Sequence, residues 1–154
     1  MSEATIRTAI YNAVKDLNNV GMVYDYERHA TEWDQFLDLF KTTVGGTDQV
    51  RGWMIGYRGI TEANQMTFNI SVNAGTERVH RFNLLGIMGI DDAAESEKTF
   101  AALAEDVCDA LDSDTTLHST GVHATPAAMI FDPAPFSGIL VHAARISIDV
   151  TEMV

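Results

Sequence analysis

The side chains able to do chemistry in this chain are five histidines, one cysteine and a large excess of carboxylates. His29, His80, His118, His123 and His142 would hold a metal only at helical or turn spacing, with a cysteine or carboxylate beside them. His118 and His123 merely flank a Ser-Thr-Gly segment, and the sequence contains neither HExxH nor CxxC. His142 falls in step with the apolar residues of the last predicted strand, which marks it as a core histidine. Cys108 sits on the apolar stripe of a predicted helix, with Asp106 and Asp109 as neighbours. A reactive thiol needs an electropositive setting, so a core thiol is expected. No serine stands in a GxSxG context, and neither GxxxxGK[ST] nor GxGxxG is present. Carboxylate pairs are too common here to single any out. The expectation is no catalytic residue, no metal and no cofactor: the chain does not read as an enzyme.

The carboxylates are more informative as a field. Among 154 residues, 22 Asp and Glu face 10 Lys and Arg, a formal charge of -12. That balance argues against tight binding of duplex nucleic acid, which requires basic side chains to neutralise phosphates, and against docking on an anionic membrane. No apolar run approaches the ~20 residues of a spanning helix, and the first residues carry no secretory pattern. A single cysteine excludes an intrachain disulfide and fits a reducing compartment. Asp91 to Asp114 holds nine acids (Asp91, Asp92, Glu95, Glu97, Glu105, Asp106, Asp109, Asp112, Asp114) against Lys98 alone. This is either a solvated helix face or a surface that repels polyanions or meets a basic partner. Several of these acids crowd a helix C-terminal half, where the macrodipole disfavours negative charge.

The elements that must position these groups follow from periodicity. Ile6, Ala9, Ile10, Ala13, Val14 and Leu17 form the stripe of an amphipathic helix, with Ser2 as N-cap and Asn18-Asn19 with Gly21 as its stop. A short strand is expected over Val20 to Tyr26. A second helix is expected over Glu32 to Lys41, capped by Thr31, with Trp33, Phe36, Leu37 and Phe40 on one face. Val44 to Gln49 reads as a turn or flexible loop. Gly52 to Ile60, Met66 to Asn73 and Arg78 to Ile90 alternate as three strands of an antiparallel meander. A long helix runs from Ser96 to Leu111, with Phe100, Leu103, Ala104, Val107, Cys108 and Leu111 on its buried side. Two last strands, Pro126 to Phe131 and Gly138 to Val150, are joined by Asp132-Pro133-Ala134-Pro135. The sum is one α+β domain over residues 1–154. It is expected to be an antiparallel sheet of about five to six strands, with an N-terminal helix, a short helix and a long helix in the C-terminal half packed on it.

Tyr24, Tyr26, Trp33, Phe36, Trp53 and Tyr57 concentrate aromatic surface in the first third, as core or as material for a partner. Gly45-Gly46 and the segment Asp132 to Gly138 are candidate arms that order on assembly.

Tyr24-Asp25-Tyr26-Glu27-Arg28, Trp33 with Phe36 and Leu39-Phe40, and Arg51-Gly52-Trp53 form one set of local strings. Gly89-Ile90-Asp91-Asp92 with Ser96-Glu97 and Phe100, and Val107-Cys108-Asp109-Ala110, form another. These strings and the order of elements over nearly the whole chain resemble the tail-terminator group of tailed-bacteriophage and prophage neck and tail-completion proteins. The resemblance implies a structural virion protein. It would form a homo-oligomeric ring, a hexamer in that family, that caps the tail tube, ends its polymerisation and joins the head-side connector or stopper. DNA would pass through such a ring without specific binding, and no membrane would be involved. Under that reading Glu62, Glu77, Asp91, Asp92 and Glu95 are candidates for lumen acids that repel DNA. Tyr26, Arg28, Trp33, Trp53, Arg78 and Arg81 are candidates for contacts between subunits or with partners. The alternatives are another connector or tube ring of the same virion, or a small α+β enzyme or ligand-binding domain.

Overall fold

The computed structural model describes residues 2–29, 31–64, 76–117, 122–136 and 138–153. Helix α1 (Glu3–Val14) starts where expected, because the Ser2 hydroxyl accepts the Thr5 N–H and buries Ile6, Ala9, Ile10 and Val14 on one stripe. The chain turns back through Asn19 and Gly21, both at positive φ. A side chain at Gly21 would lie 2.4 Å from the Arg51 carbonyl oxygen, so only glycine lets strand β1 (Met22–Tyr24) settle beside strand β3 (Thr47–Asn64). Helix α2 (Trp33–Phe40) then carries the chain across to strand β2 (Lys41–Val44). Its N-cap is Glu32, without a side-chain hydrogen bond, and not the expected Thr31.

The sheet is mixed and seven-stranded among the described residues, which corrects the antiparallel sheet of five to six strands. β1 runs parallel to β3, pairing Met22 with Gly52 and Tyr24 with Met54. α2 supplies the crossover that a parallel pair requires. The expected loop at Val44 to Gln49 is instead the tip of a β2–β3 hairpin. Gly45 and Gly46 both take positive φ there, the conformation a tight two-residue hairpin turn demands.

β3 pairs directly with strand β4 (Thr76–Gly89) through to Asn64 and Thr76, and β4 pairs with strand β7 (Ile139–Met153). The strand expected at Met66 to Asn73 lies outside the described residues. Helix α3 (Ser96–Asp112) follows β4. Strands β5 (Val122–Ala124) and β6 (Ala128–Phe136) then share the outer edge of β7. Pro133 and Pro135, expected in a linker, are part of β6. An edge strand tolerates proline because one of its sides needs no ladder donors.

The two faces of the sheet are covered unequally. α1 and α3 pack on one face over Trp53, Ile55, Phe82, Leu84, Ala144, Ile146, Ile148 and Val150, which form the main core. α2 lies on the other face, where Phe36 and Phe40 close over Met54, Ile87 and Val141. That second cluster reaches β7 at Val141 but leaves Arg145 of β7 and Ile130 of β6 exposed on the same face. No helix among the described residues is long and apolar enough to cross a membrane.

Candidate functional site

Alternation along the strands decides which polar groups are drawn inside. His80 shares the helix-covered face with Phe82 and Leu84, and is buried. Its Nε2 lies 3.1 Å from Glu152 Oε1, while Arg78 reaches the same carboxylate at 3.3 Å and Glu62 at 2.7 Å. Burial alone would raise the Glu152 pKa. The hydrogen bonds around it, those of His80 and Arg78 among them, instead hold it below the ordinary carboxylate value. The group ties β3, β4 and β7 together at one end of the sheet. Sequence reading treated His80 as ordinary, although its step with Phe82 and Leu84 marks it as inward.

At the other end, His142 is buried as expected and stacks on Phe100 and Phe131. Its Nε2 meets Ser96 Oγ at 2.8 Å, and the Asp91 N–H donates to the same oxygen at 2.8 Å. Ser96 opens α3, so this hydroxyl links helix, loop and strand, while the N-cap Glu95 makes no side-chain cap bond. A serine–histidine contact is also the first link of a nucleophile–base pair, but His142 Nδ1 has no acceptor to orient it. The depression of about 270 Å³ beside it is lined by Asp92, Glu95 and Glu97. Lys98, its only cation, is already bonded to Glu95. Asp92, Glu95 and Glu97 in that lining would oppose a developing oxyanion. Among the described residues no group of three His, Cys, Asp or Glu is placed to hold a metal. His118 lies outside those residues. Burial, and then Asp112, Asp109 and Glu105, push the Cys108 thiol pKa up, as a core thiol requires.

The residues expected at partner contacts have different fates. Trp53 is fully buried against Phe100 at 5.9 Å, so it is a core residue and not a contact. Phe36 is likewise buried. Alternation places Trp53 on the face that α1 and α3 cover, where its large apolar ring belongs. Tyr26 is half exposed, and the Arg28 guanidinium lies over its ring and over that of Tyr24. Arg78 is held between two glutamates, and Arg81 is exposed, 3.7 Å from Asp149. Trp33 begins α2.

The expected lumen acids fall into two sets. Glu62 and Glu77 stand where β3 and β4 approach their connection, and Asp91, Asp92 and Glu95 are exposed before α3. The twelve residue steps of β4 from Glu77 to Gly89 separate the sets by about 40 Å.

Sequence reading missed the apolar surface on the last hairpin. Among the described residues β6 pairs only with β7, and that pairing continues through Pro135–Leu140 and Phe136–Ile139, past the last β4 partner at Gly89–Val141. Ile130 is 66% exposed and Leu140 56%, with Met129 and Ile139 exposed beside them. The signal was present in the run Met129-Ile130-Phe131, which is apolar on both faces although it belongs to an edge strand.

No family model matches the chain, and no curated protein matches it. Its function therefore rests on its own surfaces.

Proposed function

We propose that the chain is a structural virion subunit that closes into a ring, caps a phage tail tube, ends its polymerisation and offers the joining surface to the head-side connector. One observation carries this reading: the β6–β7 hairpin holds large apolar side chains on an edge that no described segment of the chain covers. Register puts Ile130 and Ile139 on one face of that hairpin and Met129 and Leu140 on the other, and an open edge strand flanked by exposed apolar side chains is a liability that assembly removes. The Ser96–His142 contact beside the acid-lined depression lacks an acceptor at His142 Nδ1, which supports a structural role for it.

The acidic surface fits a ring that conducts DNA, since adhesion to phosphates grows with the number neutralised. Asp91, Asp92 and Glu95 at one end of β4, or Glu62 and Glu77 at the other, would face the lumen. Strands running along the channel would place both sets on its wall; strands running radially would place only one there. The nearest alternative is another neck or tube ring of the same virion, which differs in whether assembly stops at one ring. Light scattering with negative-stain images at high and low concentration tests the proposal. Discrete rings with a central hole support it, tubes transfer the chain to the alternative, and a monomer throughout rejects both.

A further inference from the structure

Cross-strand register places Leu85, Arg145 and Ile130 in one row across β4, β7 and β6, on the face that α2 only half covers. Beside them Ala143, Ala134 and Asp132 complete a shallow depression of about 230 Å³. Arg145 is exposed and has no acidic partner among the described residues. Arg7, Arg58, Arg78 and Arg81 each meet a carboxylate of their own chain. The row therefore presents a cation without an ion pair between two apolar side chains, with Asp132 the one acid in the depression beside it.

The opposite kind of surface lies on α3. Ala102, Glu105, Asp106 and Asp109 are all exposed and follow the spacing of one helical stripe, a small apolar residue followed by three acids. No basic residue stands in the last turn of α3 to offset those acids against the helix dipole. α3 packs on one face of the sheet, and the Leu85–Arg145–Ile130 row lies on the other. The two surfaces of one chain thus point away from each other and cannot meet within it. Two copies joined by this contact each keep one free surface of either kind, which is the condition for head-to-tail growth into a closed ring.

We propose that the Leu85–Arg145–Ile130 row receives the outer face of α3 from a second copy of this chain. Ala102 lies against Ile130 and Leu85, and Asp106 and Asp109 meet Arg145. The contact rests on the ring reading above and specifies which surfaces join. It gives the α3 acids a role in assembly distinct from any acids that face the lumen.

Charge exchange tests the pairing. Arg145→Glu alone, and Asp106→Arg with Asp109→Arg alone, should each weaken assembly by about tenfold or more in half-assembly concentration, measured by sedimentation. Combining all three should return it to within about threefold of the wild type. Ile130→Asp should weaken it without rescue by the α3 changes. Because these side chains are exposed, each variant should melt no lower than the wild type when dilute, the α3 changes slightly higher by relief of the helix dipole, which separates lost contact from lost fold. A wild type that never assembles overturns both this contact and the ring reading. A wild type that forms rings, with Arg145→Glu and Ile130→Asp forming them equally well, overturns the contact alone. Single losses without recovery in the combined variant overturn α3 as the occupant.

Discussion

Gly86 leaves no room for a side chain against Trp53, and Gly86→Ala measures how tightly α3 is pressed on the sheet. Gly86 pairs with Trp53 on one side and Ala144 on the other, on the face covered by α1 and α3. A Cβ there would stand 2.5 Å from both Cη2 and Cζ3 of Trp53, and 2.7 Å from Cε3. Ordinary carbon–carbon contact begins near ~3.5 Å, so the ring must move by about 1 Å. Trp53 is fully buried with Phe100 packed against it, which leaves the indole nowhere to go without displacing α3. Overpacking of this kind costs about 1–3 kcal/mol. In a chain of this length each kcal/mol lowers Tm by roughly 2–4 °C. Replacing Trp53 by Phe removes the atoms that clash, so Gly86→Ala should cost less in the Trp53→Phe background, with a coupling of about 0.5–3 kcal/mol. Urea denaturation followed by circular dichroism on the four proteins gives each value. A Gly86→Ala variant within about 0.5 kcal/mol of wild type, or an equal cost in both backgrounds, would refute the packing described.

The remaining expectations concern the buried polar groups. Glu152 has a folded pKa below its ordinary value of 4.5, so its contribution is present above the unfolded value and is lost as pH falls through the folded one. Glu152→Gln should therefore lower Tm at pH 7 and converge with wild type toward pH 3; parallel curves across that range would contradict the network. Ser96→Ala leaves His142 Nε2 and the Asp91 N–H without their shared partner and should cost about 1–3 kcal/mol in denaturant unfolding. No measurable change would contradict the linking role of this hydroxyl. Cys108, half-buried with its pKa pushed up, should react slowly with a disulfide reagent at pH 7 and quickly in urea, and equal rates would place it on the surface.

The helices were legible because their faces repeat locally. Ile6, Ala9, Ile10 and Val14 declare α1 without knowledge of the partner, and Phe100 through Leu111 do the same for α3. The sheet was less legible because pairing is a long-range property. Three residues of β1 carry no sign that they run parallel to β3 across an intervening helix. Pro133 and Pro135 suggest a linker until their place at an edge is known. Partner surfaces suffered most, since aromatic content does not reveal orientation. Trp53 and Phe36 turn inward, while the exposed apolar surface lies on Ile130 and Leu140. His142 was placed correctly by its alternation, and the same test applied to His80 would have found the Glu152 network.

The central claim is that this chain associates with itself and stops. Native mass spectrometry over a hundredfold range of concentration tests it most directly. A ring that closes gives a single higher species at one fixed integer multiple of the 16.9 kDa chain, whose mass stays constant as concentration rises. A monomer at every concentration, or an open ladder that lengthens with concentration, would contradict it.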